Sequence, residues 1–325
     1  MRYRESFQAG KDDEGRRLDR VIRKMFPHLA LSWIYGSLRR GGIRLNGRKS
    51  PPATAIREGD TITIAGTFPL PPPGGAVRES ERRGRKEELR SLVLFQNEHC
   101  CAFNKPRGLP VHGVDSLASL AASFLSAARE GSLAFRPGPV HRLDRGTTGI
   151  IIFSRSLFGA KTLSALLRGG RLKKVYLALL SGALAETQVW KDRLARLPGL
   201  GRTRMDKAAS GRYAETIVKP LIRRGELTLA LCQPVTGRRH QIRVQAELHG
   251  HPLVGDRLYG GSALAPHYIL HAACVSIQGD DAGLGFNRLT APLPQDSRLL
   301  IDALLGKGAA RRASHLATQV CGEEA

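Results

Sequence analysis

Residues 66–90 constrain the fold more strongly than any other part of this 325-residue chain. They begin with Gly-Thr-Phe-Pro-Leu-Pro-Pro-Pro-Gly-Gly and continue as a charged run from Glu79 to Arg90. Proline removes backbone donors and stiffens the chain, while glycines and charged side chains build no hydrophobic core. The sequence therefore predicts a linker at 66–90 between a domain at 1–65 and a larger domain at 91–305. A basic, weakly ordered tail is expected at 306–325.

The composition indicates a folded protein with a polyanionic partner. Lys and Arg number 51 against 28 Asp and Glu, so the formal net charge is +23. Hydrophobic residues make up 42% of the chain, which is enough for a core and excludes a disordered protein. Positive charge is in excess in both predicted domains, so both could contact the same polyanion.

The sequence lacks the signals of membrane, secreted and zinc proteins. No stretch approaches the roughly 18 apolar residues of a membrane span, and the first residues include no apolar signal region. The five cysteines are odd in number and lack zinc-ligand spacing: Cys100, Cys101, Cys232, Cys274 and Cys321. We expect a cytoplasmic protein with buried, reduced thiols and no metal.

The first domain shows two helices and a small sheet. Apolar residues with helical spacing predict a helix at 18–26, and Ser32 is the expected N-cap of a second helix that ends at Gly41. A strand at 43–45 and one at 61–64 follow, with an Asn46-Gly47 turn between them. The polar face carries five cations, which are either solvated charge or phosphate contacts: Arg39, Arg40, Arg44, Arg48 and Lys49.

This first domain resembles the S4 RNA-binding domain. The matching residues are Arg17-Leu18-Asp19-Arg20, Trp33-Ile34-Tyr35, Leu38-Arg39-Arg40-Gly41, Arg44-Leu45-Asn46-Gly47 and Glu58-Gly59-Asp60. The resemblance implies that the basic helix end and the turn bind structured RNA.

The sequence of the larger domain predicts an α+β fold with a mixed, mainly antiparallel sheet. Strands are expected at 92–95, 101–103, 150–153, 175–180, 213–218 and 227–231, and helices at 117–128 and 157–167. Strands outnumber helices and do not alternate with them regularly, which argues against a Rossmann layout.

One segment combines a histidine, two arginines, an aspartate and two threonines, and an apolar strand follows it directly. It is His141-Arg142-Leu143-Asp144-Arg145-Gly146-Thr147-Thr148-Gly149. Function concentrates on loops held by rigid elements. Asp144 is flanked by two arginines, so we expect it to be ionised and a candidate nucleophile or base. The alternative is that it merely pairs with an arginine and caps a turn.

Two further segments carry candidate residues. A Thr-Gly turn at 236–237 precedes a predicted helix with three arginines in its first turns, which is a natural seat for phosphate. His240 in that segment could equally be a structural histidine. Tyr176 follows two lysines on a strand, where it is either a core residue or a platform for a base.

Together these segments resemble the RluA family of pseudouridine synthases. The likeness covers roughly 92–300 and runs in the family's order: Asn104-Lys105-Pro106 with Gly108 and His112, the segment 141–149, Lys174-Val175-Tyr176, Thr236-Gly237-Arg238, His240-Gln241-Ile242-Arg243, and Gly250-His251-Pro252 with Gly255-Asp256 and Tyr259-Gly260. Two departures are visible. Thr148 stands where serine is usual, and Gln245 stands where histidine is frequent.

The resemblance implies isomerisation of uridine to pseudouridine in RNA without a metal or cofactor. Asp144 would be the essential aspartate, Arg243 would pair with it, and Tyr176 would stack on the uracil. Substrate contacts would fall on His141, Arg142, Arg145, Arg238 and His240. The first domain looks most like that of members acting on large-subunit (23S) ribosomal RNA, and a monomer is expected. The alternatives are transfer RNA as substrate, or a non-catalytic RNA-binding or ribosome-assembly protein.

Overall fold

Two sheets organise the chain in a computed structural model, which describes residues 3–66, 84, 87–125, 132–196, 203–205 and 211–323. The chain divides into two compact units. The first comprises Met1–Ser91, Leu120–Gly138 and Ser154–Ala160, and the second comprises Leu92–Ser119, Pro139–Phe153 and Lys161–Ala325. Residues 67–83 and 85–86 of the expected linker lie outside the described residues.

A three-stranded sheet and two helices form the N-terminal part of the first unit. The elements are β1 (Tyr3–Gln8), a 3-10 turn (Lys11–Asp13), α1 (Leu18–Met25), α2 (Leu31–Arg40), β2 (Ile43–Leu45) and β3 (Thr61–Gly66), with sheet order β1-β3-β2. The two helices, the Asn46-Gly47 turn and strands β2 and β3 match the sequence expectation, whereas β1 and the 3-10 turn were missed. The prediction of Ser32 as N-cap was wrong, because α2 begins one residue earlier and Ala30 occupies that position.

Segments that the sequence assigned to the larger domain belong to the first unit. The buried carboxylate of Asp13 accepts hydrogen bonds from Ser132 Oγ at 2.6 Å and from the backbone N–H of Leu133 and of Ala134. Ala134 is itself buried in the apolar core beneath α1 and α2. One carboxylate therefore fixes residues 132–134 on the N-terminal fold, a pairing across more than 100 residues that no local pattern announces.

The second unit is built on a sheet of eleven described strands. They run β10-β9-β11-β12-β8-β13-β7-β5-β4, with β14 on β13 and β6 on β7. Their bounds are β4 Val93–Gln96, β5 Cys100–Lys105, β6 Gly138–Pro139, β7 Thr148–Ser154, β8 Leu172–Ser181, β9 Gln188–Arg196, β10 Thr203–Met205, β11 Arg212–Arg224, β12 Leu227–Pro234, β13 Leu270–Ile277 and β14 Arg288–Thr290. Pairing is mainly antiparallel, with β7 and β13 parallel. The expected fold class is thus confirmed.

Residues 87–91, at the end of the expected linker, are helical, and Leu89 there is buried, so the linker was predicted too long. The later helices are α3 Leu117–Leu125, α4 Leu157–Arg168, α5 Gln241–Leu248, α6 Gln295–Leu305 and α7 Ala309–Glu323. None of the helices described is long and apolar enough to cross a membrane. Residues 126–128 of the predicted third helix lie outside the described residues.

The expectation of a weakly ordered tail was wrong. Residues 309–323 form α7, whose small residues pack against the sheet: Ala309, Ala310, Ala313, Ala317 and Cys321. The expectation of five reduced thiols was also wrong in this structure, because Cys321 and Cys274 of β13 form a disulfide. Cys100, Cys101 and Cys232 are free and buried.

The two faces of β8 determine where a site can form. Val175, Leu177 and Leu179 point into the core that α6 and α7 cover. Because side chains alternate along a strand, Lys174 and Tyr176 occupy the opposite face. Both line the cavity described next.

Candidate active site

A cavity of about 370 Å³ in the second unit brings the three candidate segments together. Its walls come from the loop 141–147, from β8 and from the segment 234–243 that leads into α5. Among its described lining residues Asp144 is the single carboxylate, and it faces many cations: Arg142, Arg168, Lys173, Lys174, Arg238, Arg239 and Arg243. Such a cavity is suited to an anionic ligand that must approach one negative group.

The Asn104-Lys105-Pro106 segment fixes the Asp144 loop through hydrogen bonds to its backbone. The ammonium of Lys105 is fully buried and donates to the carbonyl oxygens of Pro106, Leu109 and Arg145 at 2.8–3.1 Å. The Gly108 N–H also donates to the Arg145 carbonyl, at 2.9 Å. Burial lowers the pKa of Lys105 to about 8, and nearby Asp144 opposes that shift. This motif therefore holds the loop instead of lining the cavity.

The end of the loop is fixed against β13. Gly149 has φ +102°, and a Cβ placed there would lie 2.3 Å from the Ala272 carbonyl oxygen, so only glycine fits. Thr148 Oγ1 forms a 2.8 Å hydrogen bond with Nδ1 of buried His271. The threonine that departs from the family pattern thus uses its hydroxyl structurally.

The basic side chains closest to Asp144 come from the α5 segment. Nε2 of His240 lies 3.7 Å from Asp144 Oδ1, and Nη1 of Arg243 lies 3.9 Å from Oδ2. The adjacent arginines were expected to serve Asp144, but Arg145 donates to the Gly108 carbonyl at 2.8 Å and Arg142 is exposed at the cavity wall.

Arg243 has a stronger partner than Asp144. Its Nε and Nη2 donate to both oxygens of buried Asp256 at 2.6 and 2.7 Å, a bidentate pair. Its guanidinium also lies 4.9 Å from the Tyr259 ring centre and 4.3 Å from that of Tyr268. Burial opposes the charge, but Asp256 and the other groups outweigh it and raise the pKa of Arg243. The expected pairing with Asp144 is therefore the looser of two.

His240 is a strained residue beside the carboxylate. Its backbone is left-handed, with φ 54°, and its Nδ1 hydrogen-bonds with the Tyr259 hydroxyl at 2.8 Å. Burial lowers the pKa of His240, while Asp144 opposes this and Arg243 adds to it. A strained backbone held by surrounding contacts is typical of functional positions.

Tyr176, on strand β8, forms part of the cavity wall beside the Asp144 loop. The residue is 7% exposed and lines the cavity. Burial raises the pKa of Tyr176, and the nearby Asp144 charge raises it further, so the phenol stays protonated at neutral pH.

The structure brings most of the sequence candidates together. Asp144, Tyr176, Arg243, His141, Arg142, Arg238 and His240 all line the cavity, and Arg145 is outside its lining. Arg238 is tied to the sheet through its Nε, which donates to the Tyr213 carbonyl at 2.8 Å. Sequence reasoning missed Tyr268, which no motif marks, and the holding role of Lys105.

The first unit carries the five predicted cations on its surface. Arg39, Arg40, Arg44, Arg48 and Lys49 are all exposed. Arg44 donates to the carbonyls of Gly41 and Gly47, which ties the helix end to the Asn46-Gly47 turn. The cations are thereby gathered around one helix end and one turn.

Comparison with known proteins gives the family. The family model described as RNA pseudouridylate synthase matches residues 99–248. Ribosomal large subunit pseudouridine synthase C of Salmonella typhi is 30% identical over 318 residues, covering 91% of this chain and 95% of that protein. This chain belongs to the RluA family of RNA pseudouridine synthases. The Escherichia coli K12 protein of the same description is 32% identical over 289 residues, covering 86% and 83% of the two chains.

A solved structure shows the same fold. Human RNA Pseudouridylate Synthase Domain Containing 4 aligns with a TM-score of 0.58 at 22% identity, covering 70% of this synthase and 98% of that chain. The family match includes Asp144, Tyr176 and Arg243, whereas Asp256, which holds Arg243, lies beyond residue 248.

Proposed function

We propose that this synthase isomerises uridines of large-subunit ribosomal RNA, with Asp144 as the group that reacts with the target nucleotide. The observation that carries the proposal is the position of Asp144: the one carboxylate among the described lining residues, with its oxygens 3.7 Å from the His240 ring and 3.9 Å from the Arg243 guanidinium, in a cavity that many cationic side chains line. The substrate follows from the relatives, which are described as ribosomal large subunit enzymes.

The chemistry needs a uridine that has left the stack. A cavity of about 370 Å³ has room for one nucleotide, so the target base must be flipped into it, which costs a few kcal/mol of unstacking. Exposed Arg142 and the half-buried Arg238 and Arg239 are placed to bind phosphates on either side of the flipped nucleotide.

In the reaction the N1–C1′ bond breaks and its electron pair leaves with the uracil. Asp144 either bonds to C1′ as a covalent ester, which breaks again when C5 attacks C1′, or takes the C2′ proton to leave a glycal, which regains that proton when C5 bonds to C1′. The uracil turns, C5 bonds to C1′, the C5 proton is lost to solvent and N1 takes up a proton, so atoms balance with no cofactor consumed. Tyr176 forms a flat, protonated wall on which the uracil can stack.

Tritium release from ribosomal RNA labelled at uridine C5 tests this proposal. The RNA should come from cells that lack this gene, so that the target sites are unmodified. Wild-type protein is expected to release tritium, and Asp144→Asn is expected to release none while binding the RNA with nearly unchanged affinity. Release by the variant would refute the role of Asp144. Release from transfer RNA alone would refute the substrate, and RNA binding without release would indicate a binding protein.

We further propose that the first unit acts as an S4-like RNA-binding module through its five exposed cations. Replacing Arg39 and Arg40 together by glutamate should weaken RNA binding and reduce the salt slope by about 0.7–0.9 for each phosphate that the variant no longer neutralises. The matched control replaces Arg298 and Arg311, two exposed arginines of α6 and α7, in the same way. Equal effects in both variants would show a general charge effect and contradict a specific binding face.

A further inference from the structure

Lys174 is a cationic residue in the cavity lining, and the mechanism above gives it no role. It lies two residues before Tyr176 on β8, so the two side chains share a face about 7 Å apart and both line the cavity. Within the part of the chain that the structure describes, Lys174 has no carboxylate at ion-pair distance and no hydrogen-bond acceptor. Its side chain is half-buried, and burial lowers the pKa of its ammonium.

His141 presents a second polar group beside this lysine. Its Nε2 accepts a hydrogen bond from the Ile152 N–H at 3.2 Å, so the ring proton of the neutral imidazole sits on Nδ1. That Nδ1 is buried, and the backbone of Arg142 interacts with the ring. Burial and the charge of Lys174 lower the pKa of His141 to about 3, so the ring stays neutral at the pH of the cell.

A partly desolvated ammonium without an acceptor in the protein is stabilised when a ligand supplies the acceptor. Phosphates have other partners, because Arg142 and Arg168 are exposed in the cavity lining, whereas Lys174 is half-buried. The group that becomes negative deep in the cavity is the uracil, whose O2 and O4 share the electron pair released when the N1–C1′ bond breaks. Preorganised donors aimed at a developing charge stabilise the transition state most.

We propose that Lys174 binds a carbonyl oxygen of the target uracil and stabilises the uracil anion formed during isomerisation. This inference rests on the proposed function and adds to it a residue that recognises the uracil base. Lys174 donates hydrogen bonds and keeps its proton. The released electron pair stays on the uracil until C5 bonds to C1′, whichever route the ribose follows.

The test compares wild type with Lys174→Met and Lys174→Arg, and Lys219→Met on an exposed position of β11 is the matched control. We expect Lys174→Met to lower the single-turnover rate constant about 100-fold, the scale of removing one such donor, with the Kd for RNA changed no more than about twofold. Lys174→Arg should recover most of the rate, and Lys219→Met should behave as wild type.

RNA with 5-fluorouridine at the target site gives a readout that a merely structural role would not move. Fluorine withdraws electrons and stabilises the uracil anion, so cleavage should depend less on Lys174. Measured as loss of 5-fluorouridine by mass spectrometry, the ratio of wild-type to Lys174→Met rate constants should shrink at least tenfold relative to uridine. Lys174→Arg should give an intermediate ratio.

Three outcomes would overturn the inference: unchanged activity of Lys174→Met, an equal loss with both bases, or a loss confined to RNA affinity. If Lys174→Met lost only RNA affinity, the RNA would be tested again with a neutral methylphosphonate beside the target. If wild type and variant then bound equally, Lys174 would be assigned to a phosphate. The wild-type and Asp144→Asn arms separate these results from failure of the proposed function, which would appear as an inactive wild type.

Discussion

Asp256→Asn is the change from which the structure predicts the largest effect outside the reacting groups. Asp256 is 1% exposed and accepts two charged hydrogen bonds from Arg243, at 2.6 and 2.7 Å. Asparagine keeps the shape but removes the charge, and the side chain would have to turn a donor toward the guanidinium. Among the residues that the structure describes, Arg243 would then keep one carboxylate partner, Asp144 at 3.9 Å.

Removing one partner of a buried ion pair costs about 3–5 kcal/mol, because the other charge is left uncompensated. We expect the lower part of that range, since the rings of Tyr259 and Tyr268 still face the guanidinium. Without Asp256, Arg243 should also move toward Asp144 and form a tighter pair. Isomerisation should therefore fall about tenfold or more in the variant that remains folded.

Urea unfolding and tritium release measure the two effects separately. The control is Asp296→Asn, the same substitution at a half-exposed carboxylate whose partners are Arg107 at 3.7 Å and His267 at 3.4 Å. Surface pairs of this kind contribute about 0–1 kcal/mol. If the two variants lost equal stability, the assignment of Asp256 as the main partner of Arg243 would be refuted.

Three further predictions concern the frame around the site. Gly149→Ala should lower the free energy of unfolding by more than about 3 kcal/mol in urea, because its Cβ meets the backbone of β13, whereas Gly225→Ala, with open space and φ +53°, should cost about 1. His271 has its pKa lowered by burial to about 4, so below pH 6.5 the unfolded chain binds a proton that the folded chain does not. Stability should therefore fall by up to about 3 kcal/mol between pH 6.5 and 4, and less in His271→Gln. Alkylation of the unfolded, unreduced protein should label three of five cysteines, since Cys274–Cys321 is closed; five would contradict the disulfide.

Local signals in the sequence were sufficient for the elements next to the site. The apolar run after Gly149 predicted β7, and helical spacing predicted α1, α4 and the second helix to within a few residues. The three segments with polar motifs converge on one cavity, as their residue types suggested. These features depend on neighbours within a few positions along the chain, which is the range that periodicity and turn residues report.

Features that depend on distant partners were not predictable in the same way. Strand β1 exists because it pairs with β3, some 60 residues later. The burial of α7 requires the sheet surface that it covers, and its alanines show only a weak stripe. The same holds for Lys105, whose position under the loop depends on the carbonyl of Arg145, 40 residues away.

The pairing of Arg243 explains how Asp144 can be both held and reactive. A carboxylate in a short bidentate pair has its lone pairs occupied and is a poor nucleophile toward a sugar carbon. Here the short pair is given to Asp256, at 2.6 and 2.7 Å, while Asp144 lies 3.7 and 3.9 Å from His240 and Arg243. At those distances the oxygens of Asp144 stay available to the substrate. A second buried carboxylate is thus a condition for the reactivity of the first.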